Sequence, residues 1–412
     1  MVNRTNTPTA KQLEFLSWEF GVFFHFGIRS FYPGHEDWDG KPMPPEGYNP
    51  PDIDCDQWCA TAARAGARYA IITCKHHDGF ANWPSAYTDY SVAAAPWKNG
   101  RGDVIREYTQ ACRRHGLKVG LYYSPADQHF VALGLSTEEY NDRFAGQLEE
   151  LLRNYGKIDY LWFDGCGAAR HTFDIDRILG TIRAIQPGII LFHMWDPDTI
   201  WVGNEEGYAP FDNPLRRSEA EYNRVYQPGD GPLDRDNRLL PAECDFRMRE
   251  HTWFLCQDDA HTVKSVDELM GVYDCSVGRG SNFLVNVGPD ATGRLPAPDA
   301  ARLLEFGDAL RARFAAPVAV LGSELTVAFP KQAVNCVVLE EDLAQGQRVR
   351  EFAVYVRAAG AQIQVYWGKT IGHKAICNFP AVRGDCVTVE ILRSDGEAQL
   401  AGGRIYYCSA LK

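Results

Sequence analysis

The sequence of 412 residues has little positive charge and no cluster of it. Lysine and arginine together number 42, against 54 aspartates and glutamates, which gives a formal net charge of −12. No segment is rich in Lys or Arg. Because nucleic-acid-binding proteins and proteins on anionic membranes carry basic surfaces, we expect neither a nucleic acid nor a membrane as a partner.

Long apolar runs are also missing. The segment MVNRTNTPTAKQLEF at residues 1–15 contains no apolar stretch of signal-peptide length, and no window elsewhere approaches transmembrane length. The 12 cysteines are scattered, and Cys55 and Cys59 lack a second pair at zinc-site spacing. We therefore expect a reduced, cytoplasmic protein, with export possible if a leader has been trimmed.

Short apolar runs recur along most of the chain. They are rich in β-branched and aromatic residues and lack strict alternation, which is the pattern of strands buried on both faces. The runs are FGVFFHFG (20–27), YAIITCKHH (69–77), KVGLYYSP (118–125), IDYLWFDG (158–165), GIILFHMW (188–195) and NFLVNVGP (282–289).

Predicted helices lie between these runs. Ser136 and Glu139 fit a capping box that opens a helix, and Gly156 supplies its end. A second helix is predicted from Asp103, and Ser265 opens a third. Strand and helix alternate to about residue 310, which predicts parallel strands joined by crossover helices.

The positions of polar residues distinguish between a closed barrel and an open sheet. The first strand is followed by GIRSF rather than by the Gly-rich phosphate turn of a doubly wound sheet. Polar residues instead lie at or just after the carboxyl ends of separate strands, and in a barrel those ends meet at one mouth. These residues are His25, His76, His77, Tyr122, Asp127, Asp164, His193 and Asn286. We predict a (β/α)8-like TIM barrel over residues 1–314, with residues 196–260 irregular.

The character of the sequence changes after the barrel. Residues 315–412 contain short alternating runs such as FAVYVR and CVTVEIL, separated by Gly, Asp and Asn. This pattern predicts a small C-terminal antiparallel β-sandwich. It has few grouped polar residues, so we expect packing or carbohydrate contact from it rather than chemistry.

The segment KHHDGF at residues 75–80 is the densest group of reactive side chains. It could contact a ligand, cap its strand or bind a metal. Neighbouring side chains on an extended strand point in opposite directions, so His76 and His77 would not both bind one ion without a kink. No further ligand lies nearby at a metal-binding spacing, so we expect no metal and no cofactor.

Tryptophans beside acids suggest a sugar as ligand. The loop EDWDG at residues 36–40 follows the first strand, and an aromatic ring can stack on a sugar while acids bind its hydroxyls. Further tryptophans lie in loops or at strand ends, although some must belong to the core. They are Trp83, Trp195, Trp201 and Trp253.

Two carboxylates are needed for glycoside hydrolysis. Asp164, in YLWFDG, ends a strand with a charge, although Asp-Gly is also an ordinary turn. Glu205, in VGNEEG, is a candidate partner 41 residues later, and Glu243, in PAECD, competes with it. Retaining enzymes place the two groups about 5–5.5 Å apart and inverting enzymes about 6.5–9.5 Å apart.

Several of these segments are similar to one enzyme family. FGVFFHFGIRSF, YAIITCKHHDGFANWPSAYTDYSV (69–92), LWFDG and GRGSNFLVNVGPDATGRLP (278–296) resemble the α-L-fucosidases of glycoside hydrolase family 29. The resemblance covers the whole barrel, and the combination of KHHDGF-x-x-W-P-S with LWFDG is highly specific.

The resemblance implies a retaining mechanism with Asp164 as the nucleophile. The family commonly has Glu-Trp in the first loop, whereas this chain has EDWDG, so Glu36 and Asp37 compete for one sugar contact. The implied fucose pocket comprises His25, Asp37, Trp38, His76, His77 and Tyr122.

The resemblance also suggests a linkage preference. WVGNEEG followed by PAECD is similar to the subfamily that cleaves α-1,3/4-linked fucose from branched, Lewis-type glycans, in which the glutamate of the GNE motif is the general acid/base. That glutamate is Glu205 here. The subfamily usually has SPWD at its third strand, whereas this chain has SPAD, with Ala126 in place of the tryptophan. We therefore expect the contacts with the part of the substrate beyond fucose to differ.

Three other hypotheses remain open from the sequence. A metal-dependent barrel hydrolase would need His-x-His after the first strand, where FFHFG offers one histidine. A non-catalytic protein could bind fucosylated glycans in the same pocket. The enzyme could also accept related sugars such as α-L-galactosides. The expected partner in each glycan-based hypothesis is a fucosylated or related oligosaccharide, and the oligomeric state is left undetermined.

Overall fold

The structure, a computed structural model, describes residues 7–217, 239–250, 253–255 and 259–408. Its helices are α1 Ala10–Trp18, α2 Cys55–Ala65, α3 Val104–Arg114, α4 Gln128–Ala132, α5 Thr137–Asn154, α6 Ile175–Ile185, α7 Val266–Ser276 and α8 Ala297–Arg313. The first eight strands are β1 Phe20–Phe24, β2 Tyr69–Lys75, β3 Lys118–Tyr123, β4 Tyr160–Phe163, β5 Ile190–Phe192, β6 Ile200–Trp201, β7 Ala242–Arg247 and β8 Asn282–Asn286.

These eight strands form one parallel sheet in the order β5-β4-β3-β2-β1-β8-β7-β6. A parallel bridge between Phe192 and Thr199 brings the end of β5 against the residue before β6, so the sheet is a nearly closed barrel. The predicted (β/α)8-like architecture is therefore confirmed.

Aromatic side chains fill the interior of the barrel. Phe15 and Trp18 of α1 pack against Tyr69 of β2 and Tyr160 of β4, so α1 closes the amino-terminal end of the barrel. The Tyr69 ring fits there because Gly21 has no side chain, and a Cβ on Gly21 would lie 2.4 Å from that ring. The open end is consequently the carboxyl end of the strands.

The predicted helix starts are confirmed. Ser136 caps α5 and forms a capping box with Glu139. Ser265 forms the same arrangement with Glu268 at α7, and Asp103 caps α3. In each case a side-chain oxygen accepts one of the backbone N–H groups that a helix leaves without a partner at its start.

The region predicted to be irregular contains two barrel strands. β6 has two residues, and β7 is a regular strand that pairs with β8. β5 ends at Phe192 although the apolar run continues to 195, because His193 and Trp195 have φ angles of 64° and 63°. These left-handed conformations stop an extended strand. Residues 218–238, 251–252 and 256–258 of this region lie outside the described residues.

The remaining strands form a second, antiparallel sheet. They are β9 Ala319–Val320, β10 Thr326–Glu341, β11 Val349–Ala358, β12 Ala361–Gly368, β13 Ala375–Ser394 and β14 Leu400–Tyr406, in the order β12-β11-β13-β10-β14-β9. Bulges interrupt the two long strands, β10 and β13, and bend them. The sheet has its own apolar core, in agreement with the predicted C-terminal β-sandwich. Of the helices described, none is long and apolar enough to cross a membrane.

Candidate active site

A cavity of about 560 Å³ opens at the carboxyl ends of the barrel strands. Its volume lies within the range of about 300–1,000 Å³ that is usual for small-molecule sites. The lining includes Phe23, His25, Asp37, His76, His77, Tyr122, Trp162, Asp164, Cys166, Phe192, His193, Trp201, Glu205, Asp245 and Trp253. The structure thus brings residues from distant parts of the chain to one mouth. Of the eight strand-end residues predicted to meet there, Asp127 and Asn286 are not among the lining residues.

Asp164 follows β4, and three polar groups surround its carboxylate. The Tyr122 hydroxyl donates to its Oδ2 at 2.8 Å, the backbone N–H of Cys166 donates to its Oδ1 at 2.9 Å, and His77 Nε2 lies 3.4 Å from Oδ2. Burial alone would raise the pKa of Asp164, but the charge of His77 and these hydrogen bonds together hold that pKa below its ordinary value. Asp164 is therefore an ionised carboxylate at neutral pH.

His77 is held in its cationic form. Its Nδ1 lies 2.6 Å from Ser124 Oγ, which itself donates to the Ala126 carbonyl oxygen, so Nδ1 must carry the donated proton. Its Nε2 faces Asp164. Burial opposes the charge, but the Asp164 carboxylate outweighs it and raises the pKa of His77 to about 10. Both ring nitrogens are thus donors, which fixes the charge balance of the site.

His76 and His77 both line the cavity, contrary to the expectation for an extended strand. β2 ends at Lys75, so the two histidines lie in the turn beyond it, with ring centroids 4.2 Å apart. His76 Nδ1 is buried without a hydrogen-bond partner among the described residues and lies 3.6 Å from Asp37 Oδ1. Burial lowers the pKa of His76 well below its ordinary value. A neutral, unsatisfied imidazole is suited to bond a sugar hydroxyl.

Asp37, His76 and His77 form the one group of described residues whose ligand atoms lie close enough for a metal, within 4.8 Å of one another. The donor set fits a metal poorly. His77 uses both ring nitrogens as donors, and Asp37 Oδ1 lies 2.6 Å from Arg29 Nη1 in an ion pair. A metal ligand must instead offer a lone pair.

His25 directly follows β1, and Asn286 orients its ring. Its Nδ1 lies 2.7 Å from Asn286 Oδ1, and Asn286 is itself held by its amide N–H to the Trp253 carbonyl oxygen at 2.8 Å. The Asn286 oxygen is an acceptor, so Nδ1 carries the hydrogen. Burial lowers the pKa of His25 to about 3, and its Nε2 is therefore a neutral acceptor.

Trp38 stacks on His77 rather than lining the cavity itself. The ring centroids are 5.0 Å apart at an interplanar angle of 21°, and the Arg170 guanidinium lies 5.0 Å from the Trp38 centroid. Trp38 also packs over Gly167, where a Cβ would approach its ring to 2.5 Å. Asp37 is among the lining residues and Glu36 is not, so the geometry favours Asp37 for the sugar contact.

Glu205 is the second acidic residue at the mouth. It lies in the loop after β6, its side chain is 48% exposed, and its Oε2 is 4.0 Å from Arg247 Nη2. Partial burial raises the pKa of Glu205 above its ordinary value, and the negative charge of Asp164 adds to this, while Arg247 opposes it. Glu205 is therefore more easily protonated than an ordinary glutamate, in contrast to Asp164.

Glu243, the competing glutamate, does not line the cavity. It points into the barrel interior from β7 and is 1% exposed. Tyr69 and Tyr160 donate their hydroxyls to it at 2.6 and 3.2 Å, and Trp162 Nε1 donates at 2.9 Å. It is hydrogen-bonded below the site, so of the two competing glutamates only Glu205 reaches the cavity.

Asp245 is a cavity residue that the sequence analysis did not single out. It is 5% exposed and accepts a hydrogen bond from Trp201 Nε1 at 2.7 Å. Burial, together with the charge of Glu205, raises the pKa of Asp245 far above its ordinary value. The sequence could have predicted the place of Asp245, because Glu243, Asp245 and Arg247 alternate along one strand and so share its inner face.

Other strand-end residues have structural roles. Asp127 is fully buried against Lys75, 2.7 Å from its Nζ, and also caps α4. Of the four loop tryptophans, Trp201 and Trp253 line the cavity. Trp83 is buried and donates to Glu150, and Trp195 packs in the core against Phe163. Position at a strand end was therefore not sufficient for membership of the site.

Comparison with known proteins gives a consistent result. Residues 3–313 match the family model Alpha-L-fucosidase. The chain is 30% identical over 421 residues to Alpha-L-fucosidase 1 of Arabidopsis thaliana, covering 90% of this chain and 81% of the relative. It is similar to the crystal structure of a glycoside hydrolase family 29 member from a rumen bacterium, with a TM-score of 0.86, 32% identity, and coverage of 98% and 77% of the two chains.

A third comparison supports the fold. A Ruminococcus gnavus family 29 fucosidase, solved in complex with fucose, superposes with a TM-score of 0.85 at 24% identity, over 98% of this chain and 95% of that one. The matched family model spans the whole barrel and its mouth, which confirms the resemblance at the level of the family and the expectation of an enzyme. The chain belongs to the alpha-L-fucosidase family of glycoside hydrolases, family 29.

Proposed function

We propose that this chain removes terminal α-L-fucosyl groups with retention of anomeric configuration, through a covalent glycosyl-enzyme. One observation carries the proposal: Asp164 and Glu205 line one cavity, and their surroundings shift the pKa of Asp164 downward and that of Glu205 upward. A pair of acids separated in this way supplies one ionised group and one protonated group at the same pH. Double displacement uses that combination, and the choice of retention follows the resemblance to glycoside hydrolase family 29.

In the first step, Asp164 Oδ attacks the anomeric carbon while the bond to the glycosidic oxygen breaks. Glu205 donates its proton to that leaving oxygen, so the aglycone departs as a neutral alcohol. In the second step, the ionised Glu205 removes a proton from water, and the resulting hydroxide displaces Asp164. Fucose is released, and both carboxyl groups return to their starting protonation states.

The side chains around Asp164 supply recognition. His76 Nδ1 is buried and has no hydrogen-bond partner within the described part of the chain, and Asp37 and His25 offer acceptors to ring hydroxyls. Fucose carries a methyl group at C5, and the aromatic wall formed by Phe23 and Trp162 is suited to it. Because an apolar wall discriminates by only about 1–3 kcal/mol, an aryl α-L-galactoside should be a slower substrate rather than an inert one.

We further propose that the linkages cleaved are α-1,3 and α-1,4 in branched, Lewis-type glycans. The support is the loop WVGNEEG, which contains Glu205 and is similar to that of the α-1,3/4 subfamily. The cavity of about 560 Å³ also has room for more than the fucose ring. Ala126, which replaces the tryptophan usual in that subfamily, is buried close to Gly167.

The linkage proposal is tested by comparing kcat/KM on a Lewis-type trisaccharide and on an α-1,2-fucosylated trisaccharide. We expect the branched substrate to be preferred by at least about tenfold, since one well-placed contact in a pocket is worth about 1–3 kcal/mol. Equal rates, or preference for the α-1,2 linkage, would contradict the linkage proposal. The aryl fucoside serves as the reference for an intact fucose pocket in the same preparation.

We also infer a reducing location in the cytoplasm. Every described cysteine is free, including Cys59 and Cys112, whose sulfurs lie 3.6 Å apart without a bond. Thiols this close and this buried are typical of a reducing compartment. Fractionation of the source cells should place the fucosidase activity with cytoplasmic markers, and recovery in the exported fraction would contradict the inference.

A further inference from the structure

The loop that carries Glu205 also reaches the C-terminal sheet. We define the Glu205 loop as residues 202–217, the described segment between β6 and the break before β7. Barrel elements hold it in two ways near Glu205. Glu206 forms an antiparallel bridge with Phe246, and the Ala209 carbonyl oxygen accepts from Arg279 Nη1 at 2.6 Å. The later part of the loop leaves the mouth of the barrel.

Phe211 is the first residue of the loop to contact the C-terminal sheet. Its ring stacks on Trp367 of β12, with centroids 5.8 Å apart and an interplanar angle of 28°. Trp367 is itself held in place, because its Nε1 donates to Glu351 Oε1 at 2.8 Å and the Lys369 ammonium lies 4.5 Å from its ring centroid. The sheet therefore presents a fixed aromatic surface to the loop.

Leu215 makes the second contact. Its backbone N–H donates to Gln347 Oε1 at 2.8 Å, and its side chain packs in a buried cluster with Leu343 of the C-terminal domain. Leu16 of α1 and Leu239 complete that cluster. The loop is thus fixed on the C-terminal domain at Phe211 and at Leu215, both on the far side of Glu205 from β6.

We propose that Trp367 and Gln347 are positioning residues for proton transfer: the C-terminal sheet holds the Glu205 loop so that Glu205 stays within reach of the glycosidic oxygen. The proposal rests on the role of Glu205 as general acid/base given above. Glu205 is half exposed and lies on a loop, whereas Asp164 follows a barrel strand, so its position depends more on such external contacts. Small displacements matter, since about 1 Å of misplacement can cost about a hundredfold in rate.

The test uses the leaving group of the substrate. A 2,4-dinitrophenyl α-L-fucoside leaves without protonation, whereas a phenyl α-L-fucoside needs a general acid. In Trp367→Ala and Gln347→Ala we expect kcat/KM on the phenyl fucoside to fall about tenfold, and on the dinitrophenyl fucoside to stay within about twofold. Trp367→Phe and Gln347→Glu keep the ring and the acceptor oxygen and should restore most of the loss.

Ile363→Ala is the matched control, because Ile363 is an exposed residue of the same strand, β12, 43% accessible and paired with Val356 of β11. It should behave as wild type on both substrates. Equal losses on both substrates in the Trp367 and Gln347 variants would mean a merely structural role and would overturn the proposal. Unchanged rates on both would overturn it as well.

A Glu205→Ala variant distinguishes a failure of the positioning proposal from a failure of the proposed role of Glu205. If Glu205 is the acid/base, this variant loses far more on the phenyl fucoside than on the dinitrophenyl fucoside. With that pattern present, a flat response of Trp367→Ala defeats only the positioning proposal. Without it, the proposed role of Glu205 fails, and the positioning proposal fails with it.

Discussion

The mouth and the floor of the barrel interior each contain a carboxyl group among aromatic rings, and the pKa values of the two groups are shifted in opposite directions. At the mouth, the pKa of Asp164 is held below its ordinary value. At the floor, burial raises the pKa of Glu243 to about 7. Both accept hydrogen bonds from tyrosine, Asp164 from Tyr122 and Glu243 from Tyr69.

The difference lies in one neighbouring charge. Asp164 faces His77, whose own Nδ1 is bound to Ser124, so the cation is fixed beside the carboxylate. Glu243 has only neutral donors around it, two tyrosine hydroxyls and an indole. At Glu243 the hydrogen bonds from neutral side chains do not offset the effect of burial on the pKa, whereas at Asp164 the charge of His77 together with hydrogen bonds does. The barrel thus holds the carboxyl group of Asp164, the proposed nucleophile, as an anion at the mouth and makes that of Glu243 easier to protonate at the floor.

The largest expected effect is on catalysis at the mouth. Asp164→Ala removes the proposed nucleophile, and we expect kcat/KM on an aryl α-L-fucoside to fall by at least about a thousandfold. Asp164→Asn, which keeps the shape, should lose nearly as much because an amide does not attack the anomeric carbon. Initial rates with both variants, together with unchanged thermal unfolding, measure this. Full activity in Asp164→Ala would make Asp164 an ordinary turn residue.

A substitution at the floor should act on stability instead. Glu243→Ala leaves the Tyr69 hydroxyl and the Trp162 indole without their acceptor in a buried cavity, while Tyr160 keeps Thr199 as a partner at 3.1 Å, and we expect about 3 kcal/mol of destabilisation. Glu243→Gln keeps one acceptor oxygen and the volume, so it should fold well and retain kcat/KM on the aryl fucoside within a few fold. Urea unfolding measures the first effect and steady-state kinetics the second. A thousandfold loss of kcat in Glu243→Gln would move the acid role to the floor.

The same residue gives a pH dependence of stability. The folded-state pKa of Glu243 is raised to about 7 from an ordinary 4.5, so the folded protein binds that proton more tightly than the unfolded chain. Its contribution is fully present below the unfolded pKa and is lost as the pH rises through about 7. Between pH 5 and pH 8 wild type should lose up to about 3 kcal/mol relative to the non-titrating Glu243→Gln, at about 1.4 kcal/mol per pKa unit.

Removing the cation at the mouth should make Asp164 behave more like Glu243. In His77→Gln the charge opposite Asp164 is lost while burial remains, so the pKa of Asp164 rises and the acid limb of kcat/KM moves to higher pH. We expect about a hundredfold loss at neutral pH, the scale of losing one aligned donor. Ser124→Ala, which removes the acceptor of His77 Nδ1, should shift the same limb less. An unmoved acid limb in His77→Gln would contradict the assigned cause.

The smallest expected effect concerns Glu205. Arg247 lowers the pKa of Glu205, so Arg247→Met should raise it and move the alkaline limb of kcat/KM to higher pH, by about one unit or less. Arg357→Met, on an exposed ion pair with Asp385 in the C-terminal sheet, is the control and should leave the limb in place. A downward shift in Arg247→Met would show that Glu205 does not control that limb.

The sequence predicted the barrel and most of the site because strand ends carry a strong signal. Polar residues such as His25 and Asp164 interrupt apolar runs, and in a barrel all such interruptions meet at one mouth. The helix caps at Ser136 and Ser265 were equally predictable from the sequence, since they depend on local hydrogen bonds. What is local in sequence, or repeated at every strand, could be predicted.

The depth of a side chain in the barrel and its partners from distant parts of the chain could not be predicted from the sequence. Glu243 and Asp245 lie two positions apart on the same strand, and the layer in which each lies follows from the register of β7 against β8, which pairs distant residues. The two histidines share the cavity because β2 ends at Lys75, two residues before the end of the run at 69–77. The contact of Phe211 with Trp367 joins two domains, and no local pattern announces it.

The central claim is that Asp164 becomes covalently attached to the sugar. The most direct measurement is mass spectrometry of the enzyme after reaction with a 2-deoxy-2-fluoro-α-L-fucosyl substrate, whose intermediate hydrolyses slowly. The account predicts one added fluorofucosyl group, carried by the peptide that contains Asp164, and no label in Asp164→Ala. A label on Glu205 or Glu243, or turnover of the natural fucoside to the inverted sugar with no label at all, would contradict it.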